Sequence, residues 1–189
     1  ENGQPQYAVS YRGETVIQPS GLGMEFREQS PLGQNLELLE VEKEEKDETW
    51  SMPWGEQSEV RNHYRGMVAR LGETQPPYRR LNLHFRAYND GIGLRYELPE
   101  QEGLDTVIIM DEHTEFRLTD NHRCWWIPGD WDIYEHNYSE TDFLDIDATA
   151  LRDNPNLAQT YIPENAVNTP VTMRTADGLH LSFHEANLT

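Results

Sequence analysis

Apolar and polar residues alternate along this chain at a spacing of two, the pattern of strands with one buried face. Tyr7, Val9 and Tyr11 alternate with Ala8 and Ser10, and Arg12-Gly13-Glu14 supplies a turn before Thr15-Val16-Ile17. Leu81, Leu83, Phe85 and Ala87 point one way, and Asn82, His84, Arg86 and Tyr88 point the other. After the turn Asn89-Asp90-Gly91, the pattern resumes with Ile92, Leu94, Tyr96 and Leu98. Asn, Asp and Gly tolerate the positive φ angles of a tight hairpin, so such angles are expected there. Further strands are predicted over 106–110 and 115–118. A last hairpin is predicted over 169–174 and 179–183, turning at Asp177-Gly178.

No long window shows a helical period of 3.6. Residues 36–47 come nearest, but Glu40, Glu42, Glu44 and Glu45 leave only a short apolar stripe, which reads as a charged strand edge or loop. About ten short strands joined by hairpin turns, with no alternating helices, predict an all-β antiparallel sandwich forming one domain over residues 1–189.

Five Trp, nine Tyr and five Phe provide the area for a packed core in a chain that is only 36% hydrophobic. The formal charge of −19 repels nucleic-acid phosphates and anionic lipid heads, which excludes both as partners and leaves neutral sugars and cations. No run reaches the roughly 20 apolar residues of a membrane helix. The lone Cys124 excludes an internal disulfide and a multi-cysteine zinc site; within its aromatic run it reads as a buried, inert thiol. The chain opens at Glu1 and stops at Asn187-Leu188-Thr189, and it reads as cut short at that end.

Four stretches carry candidate chemistry. In 47–56, Trp50 and Trp54 flank Pro53, and their faces either stack on sugar rings or plug one end of the sandwich. Arg61-Asn62-His63-Tyr64 is dense in donors and acceptors that match vicinal hydroxyls, or that pair with neighbouring carboxylates. In 122–132, Pro128-Gly129 predicts a turn, and at least two of Trp125, Trp126 and Trp131 are expected to pack. Asp130 and Asp132 lack the further ligands of a calcium-binding EF-hand, which is rejected. Along 179–185, Leu179, Leu181, Phe183 and Glu185 share one face, and His180, Ser182 and His184 the other. A carboxylate continuing an apolar face either meets a cation or marks the point where the strand runs out into water. Phosphate-binding glycine loops, nucleophile elbows and zinc-protease helices are absent from the sequence.

Seven of these segments, in order, resemble the N-terminal region of glycoside hydrolase family 97. They are 7–13, 47–55, 61–64, 86–96, Thr114-Glu115-Phe116, Trp125-Trp126-Ile127-Pro128-Gly129-Asp130 and His184-Glu185-Ala186. The resemblance implies a galactose-mutarotase-like super-β-sandwich that precedes a (β/α)8 catalytic barrel and a small C-terminal β domain. It implies α-glucosidase or α-galactosidase activity for the whole protein, on α-linked oligosaccharides, with no catalytic residue in this chain. It also implies a Ca2+ ion shared with the barrel, with Glu185 as the sandwich's ligand, and a periplasmic or secreted location. Asn62, His63 and Trp126 are the candidate sugar contacts. The alternative is an autonomous carbohydrate-binding sandwich using Trp50, Trp54 or Trp131 as platforms. A free-standing mutarotase-like enzyme ranks last, because His184 and Glu185 face apart.

Overall fold

In a computed structural model the chain is all-β and antiparallel, as the alternation predicts. Residues 3–104, 106–152 and 160–186 are described. By its contacts the chain divides into two compact units, Glu1–Arg117 and Leu118–Thr189, each with its own core.

The first unit opens with the hairpin β1 (Gln6–Tyr11) and β2 (Glu14–Gly21). Its turn residues Arg12 and Gly13 take φ of 54° and 90°, the pairing that a two-residue hairpin loop requires. β3 (Met24–Phe26), β4 (Gln29–Leu32) and β9 (Ile109–Glu112) form a small sheet in the order β4-β3-β9. The largest sheet is a meander of β5 (Leu36–Ser51), β6 (Glu59–Glu73), β7 (Arg80–Ala87) and β8 (Ile92–Glu97). Leu36, Leu71, Leu81 and Leu83 from this meander pack with Leu22, Met24, Phe26 and Leu32. Each such side chain contributes about 1.5–3 kcal/mol by leaving water.

The acidic stretch 36–47 lies in β5, an edge strand exposed over nearly all its length. Two expectations fail over residues 89–91 and 115–118. Residues 89–91 keep ordinary φ angles, because Ala87 pairs with Ile92 and the four-residue loop between them needs none that is positive. Residues 115–118 form no named strand. They are held piecewise instead, through Glu115 N–H to Gly21 O (3.0 Å), Gln18 N–H to Arg117 O (2.8 Å) and Arg117 N–H to Ser20 Oγ (2.9 Å).

The second unit is a sheet in the order β11-β10-β12-β13, made of β10 (Arg123–Trp126), β11 (Ser139–Asp142), β12 (Val171–Arg174) and β13 (His180–Phe183). Two 3-10 turns follow β11, at Phe143–Asp145 and Ala148–Leu151. Pro128-Gly129 is not a turn. The chain runs extended there, bridging Pro128 to Val167 and Asp130 to Tyr161. Gly129 serves close approach: a Cβ on it would lie 2.9 Å from Ile162 Cδ1 and 3.2 Å from Ala166 Cβ. Among the described residues no helix is long and apolar enough to cross a membrane.

Candidate functional site

Glu185 sits just past the end of β13. The final hairpin is paired up to Phe183, with Val171 opposite Phe183 and Met173 opposite Leu181. Its faces divide as the alternation predicts. Leu181 and Phe183 pack against the core of Cys124, Trp126, Ala148, Val171 and Met173. On the other face His180 stacks on Trp125, with ring centroids 6.4 Å apart, and Ser182 Oγ lies 3.1 Å from Thr172 Oγ1. The strand stops at Phe183, so Glu185 follows the apolar face without joining it and is exposed to water. That removes the desolvation cost and leaves the carboxylate free to meet a partner.

Asn62 and His63 lie on β6, opposite the acidic strand β5. Asn62 Nδ2 donates to Glu48 at 2.8 Å, and Tyr88 Oη donates to Asn62 Oδ1 at 3.2 Å. His63 Nε2 is 3.7 Å from Glu45. Beside them Arg61 grips Asp47 with two bonds of 2.7 and 2.6 Å, which holds the Asp47 carboxyl below its ordinary range. Glu48 is lowered likewise, by hydrogen bonds from Lys46 and then Asn62. The density of hydrogen-bonding groups at 61–64 is thus engaged in cross-strand pairing.

Trp126 is a core residue, 2% exposed, with its indole N–H donating to Thr141 Oγ1 at 3.0 Å. No ring face is open to a sugar. Trp125 is half-buried, so two of the three Trp in this run pack, whereas Trp131 is 71% exposed. Trp50 and Trp54 are 44% and 80% exposed, so of the two alternatives for these rings, plugging the sandwich does not describe them.

Asp130 is fully enclosed and spends its carboxylate on the chain. It accepts Thr160 Oγ1 at 2.6 Å and the N–H groups of Asp132 (3.0 Å), Ile133 (3.2 Å) and Thr160 (3.2 Å). Burial opposes its charge, but the Thr160 hydroxyl and these three N–H groups outweigh it and hold the carboxyl far below the usual carboxylate range. This anchor explains the acidic residue after Pro128-Gly129 without a metal. His136 Nε2 lies 3.5 Å from Asp130.

A cavity of about 330 Å3 opens in the second unit, lined by Asp120, Asn121, Trp125, Glu140, Arg174 and Thr175 among others. It shares β12 with the hairpin that carries Glu185. Sequence reading misses it because its walls come from separate segments that only the sheet order brings together. Among the described residues no cluster of three His, Cys, Asp or Glu side chains could hold a metal ion.

A family model described as the glycosyl-hydrolase 97 N-terminal domain matches residues 1–189. A retaining alpha-galactosidase of Bacteroides thetaiotaomicron is 32% identical over 90 residues, 48% of this chain and 13% of that protein. A glycoside hydrolase family 97 enzyme of Pseudoalteromonas sp. strain K8, solved with panose and with acarbose, superposes with a TM-score of 0.85. It is 31% identical, and the match covers 100% of this chain and 26% of that enzyme. A beta-arabinopyranosidase superposes at 0.66 with 26% identity, over 74% of this chain and 23% of its own. The chain therefore spans about a quarter of the length of the solved enzymes it matches.

Proposed function

Because this chain belongs to glycoside hydrolase family 97, as its N-terminal domain, we propose that it completes the active site of an exo-acting α-glycosidase without itself carrying the catalytic carboxylates. The observation that carries this reading is Glu185, presented to solvent two residues beyond the last rung of a paired hairpin. Glu185 fits the role of one calcium ligand, since calcium takes about six to eight oxygens and accepts carboxylates readily. On this reading the other oxygens come from the barrel that this domain packs against. When bound, the ion supplies positive charge beside the sugar. The share of this chain is to present Glu185 just past the end of β13 and to wall off one side of the site.

Two carboxylates of the barrel then act on the anomeric carbon of an α-linked oligosaccharide. Their separation, about 6.5–9.5 Å or about 5–5.5 Å, sets inversion or retention. The panose and acarbose bound by the Pseudoalteromonas enzyme, and the activity named for the Bacteroides relative, support this substrate class. The location that accords with the reading is the periplasm or the exterior.

The test is Glu185→Gln in the full-length enzyme. Calcium should then raise the thermal midpoint less, and half-maximal activity should need more calcium. An unchanged calcium titration would remove Glu185 from the site. Sugar release from a p-nitrophenyl α-glycoside by the 189-residue chain alone would overturn the reading as a whole. A second reading, an autonomous sugar-binding module, is favoured by the exposed faces of Trp54 and Trp131. Isothermal titration with maltose or galactose tests it, millimolar or tighter binding being its mark.

A further inference from the structure

The β5–β6 hairpin outruns its sheet. β6 meets β7 only from Arg65, opposite Ala87, to Gly72, and residues 59–64 pair with β5 alone. At the usual rise of a strand these six residues make an arm about 20 Å long. A two-stranded ribbon is barely stable in water without a packed face. This one is braced by polar rungs: Arg61 to Asp47, Asn62 to Glu48, and Lys46 Nζ to Glu48 at 2.9 Å. At the tip the composition inverts. Trp50, Met52 and Trp54 are 44%, 38% and 80% exposed, and Trp50 Nε1 donates to Met52 Sδ at 3.3 Å.

We propose that this tip is a docking plug whose Trp54 and Trp50 seat against the catalytic domain of the same polypeptide. The inference rests on the reading of the chain as the N-terminal domain of a family 97 glycosidase. Two exposed indoles at one projecting hairpin end, Trp50 on the last rungs of β5 and Trp54 in the turn, form the kind of apolar anchor that protein interfaces bury at their centres. A sugar is the poorer occupant. A sugar site needs free donors and acceptors converging on the stacked ring, and the groups directly behind the tip, Asp47, Glu48, Arg61 and Asn62, are already spent on one another. A second copy is poorer still, because β5 carries seven carboxylates against two lysines and would meet its own net negative charge. The catalytic domain remains, and about three-quarters of the matched Pseudoalteromonas enzyme lies outside the part that this chain covers.

Hydroxyl-radical footprinting of the full-length enzyme, without sugar, tests the plug. Trp54 should be oxidised roughly ten-fold more slowly than N-acetyltryptophanamide, as befits a ring seated in a desolvated pocket. Oxidation at the rate of the free compound overturns the proposal. So does protection that needs added maltose, which would mark a sugar platform. Protection that vanishes on dilution to a monomer would mark a second copy, and equally overturns it. Trp54→Ser should leave the circular dichroism of the full-length protein unchanged and lower its thermal midpoint; an unchanged midpoint counts against the plug. An active enzyme with a freely oxidised Trp54 removes the plug alone. A full-length product that protects Trp54 but cleaves no α-glycoside removes the parent reading, and with it the partner named here.

Discussion

Arg79 Nη2 donates to Glu73 Oε1 at 2.6 Å, and the two side chains are only 4% and 9% exposed. The guanidinium also reaches Glu73 Oε2 (3.0 Å), Ser30 O (2.7 Å) and Pro31 O (3.0 Å), so every face of the ion is answered. Cutting one partner strands the other charge in a dry site. Arg79→Met should therefore destabilise the chain by about 3–5 kcal/mol in urea unfolding. A loss within experimental error would show that the pair is not enclosed in solution.

The same pair sets an acid limit. Burial opposes the charge on Glu73, but the side-chain and backbone hydrogen bonds from Arg79 outweigh it and hold its carboxyl below the ordinary 4.5. A carboxyl depressed by folding stabilises above its unfolded value, and that contribution fades as pH falls through the lower folded value. Stability should thus decline as pH drops below about 4.5. Glu73→Gln should flatten that decline in thermal unfolding followed by circular dichroism. An equally steep acid limb in the variant would place the effect elsewhere.

Cys124 is fully buried, and burial pushes its thiol up, away from the reactive thiolate. Iodoacetamide at neutral pH should leave the native chain unlabelled and modify one thiol per chain once guanidinium unfolds it. Rapid native labelling would contradict the packing of β10.

Two turn glycines should part company. Gly13, at φ +90°, should lose about 1–2 kcal/mol on conversion to Ala, the cost of forcing a side chain into the left-handed region. Gly91 has an ordinary φ and open space where a Cβ would go, so Gly91→Ala should be neutral or stabilise by up to about 1 kcal/mol. Differential calorimetry of the two variants decides it. Equal losses would refute the four-residue loop.

Local patterning was legible, and pairing across distance was not. The hairpins β1–β2, β7–β8 and β12–β13 could be read because alternation and turn residues sit side by side in the chain. β3 and β4 could not, since three or four residues are too few to show a period. The bond from Asn62 to Glu48 could not be read from the sequence, because Glu48 lies across a turn and only the strand register brings the two together. Trp126 and Trp131 look alike in the sequence. One sits on a strand whose inner face is core, the other just past a bridge, and that difference is tertiary. The bonds of Asp130 to Thr160 arrive from a segment that no local motif could anticipate.

Beyond Leu36, whose N–H is taken by Gly3 O, the outer edge of β5 turns the N–H and C=O of alternate residues away from β6 along most of a sixteen-residue strand. Seven carboxylates against two lysines line that strand. Fibril-like zipping of two chains along it would stack like charges rung upon rung, so the acidity of this domain doubles as a guard against its own aggregation at neutral pH.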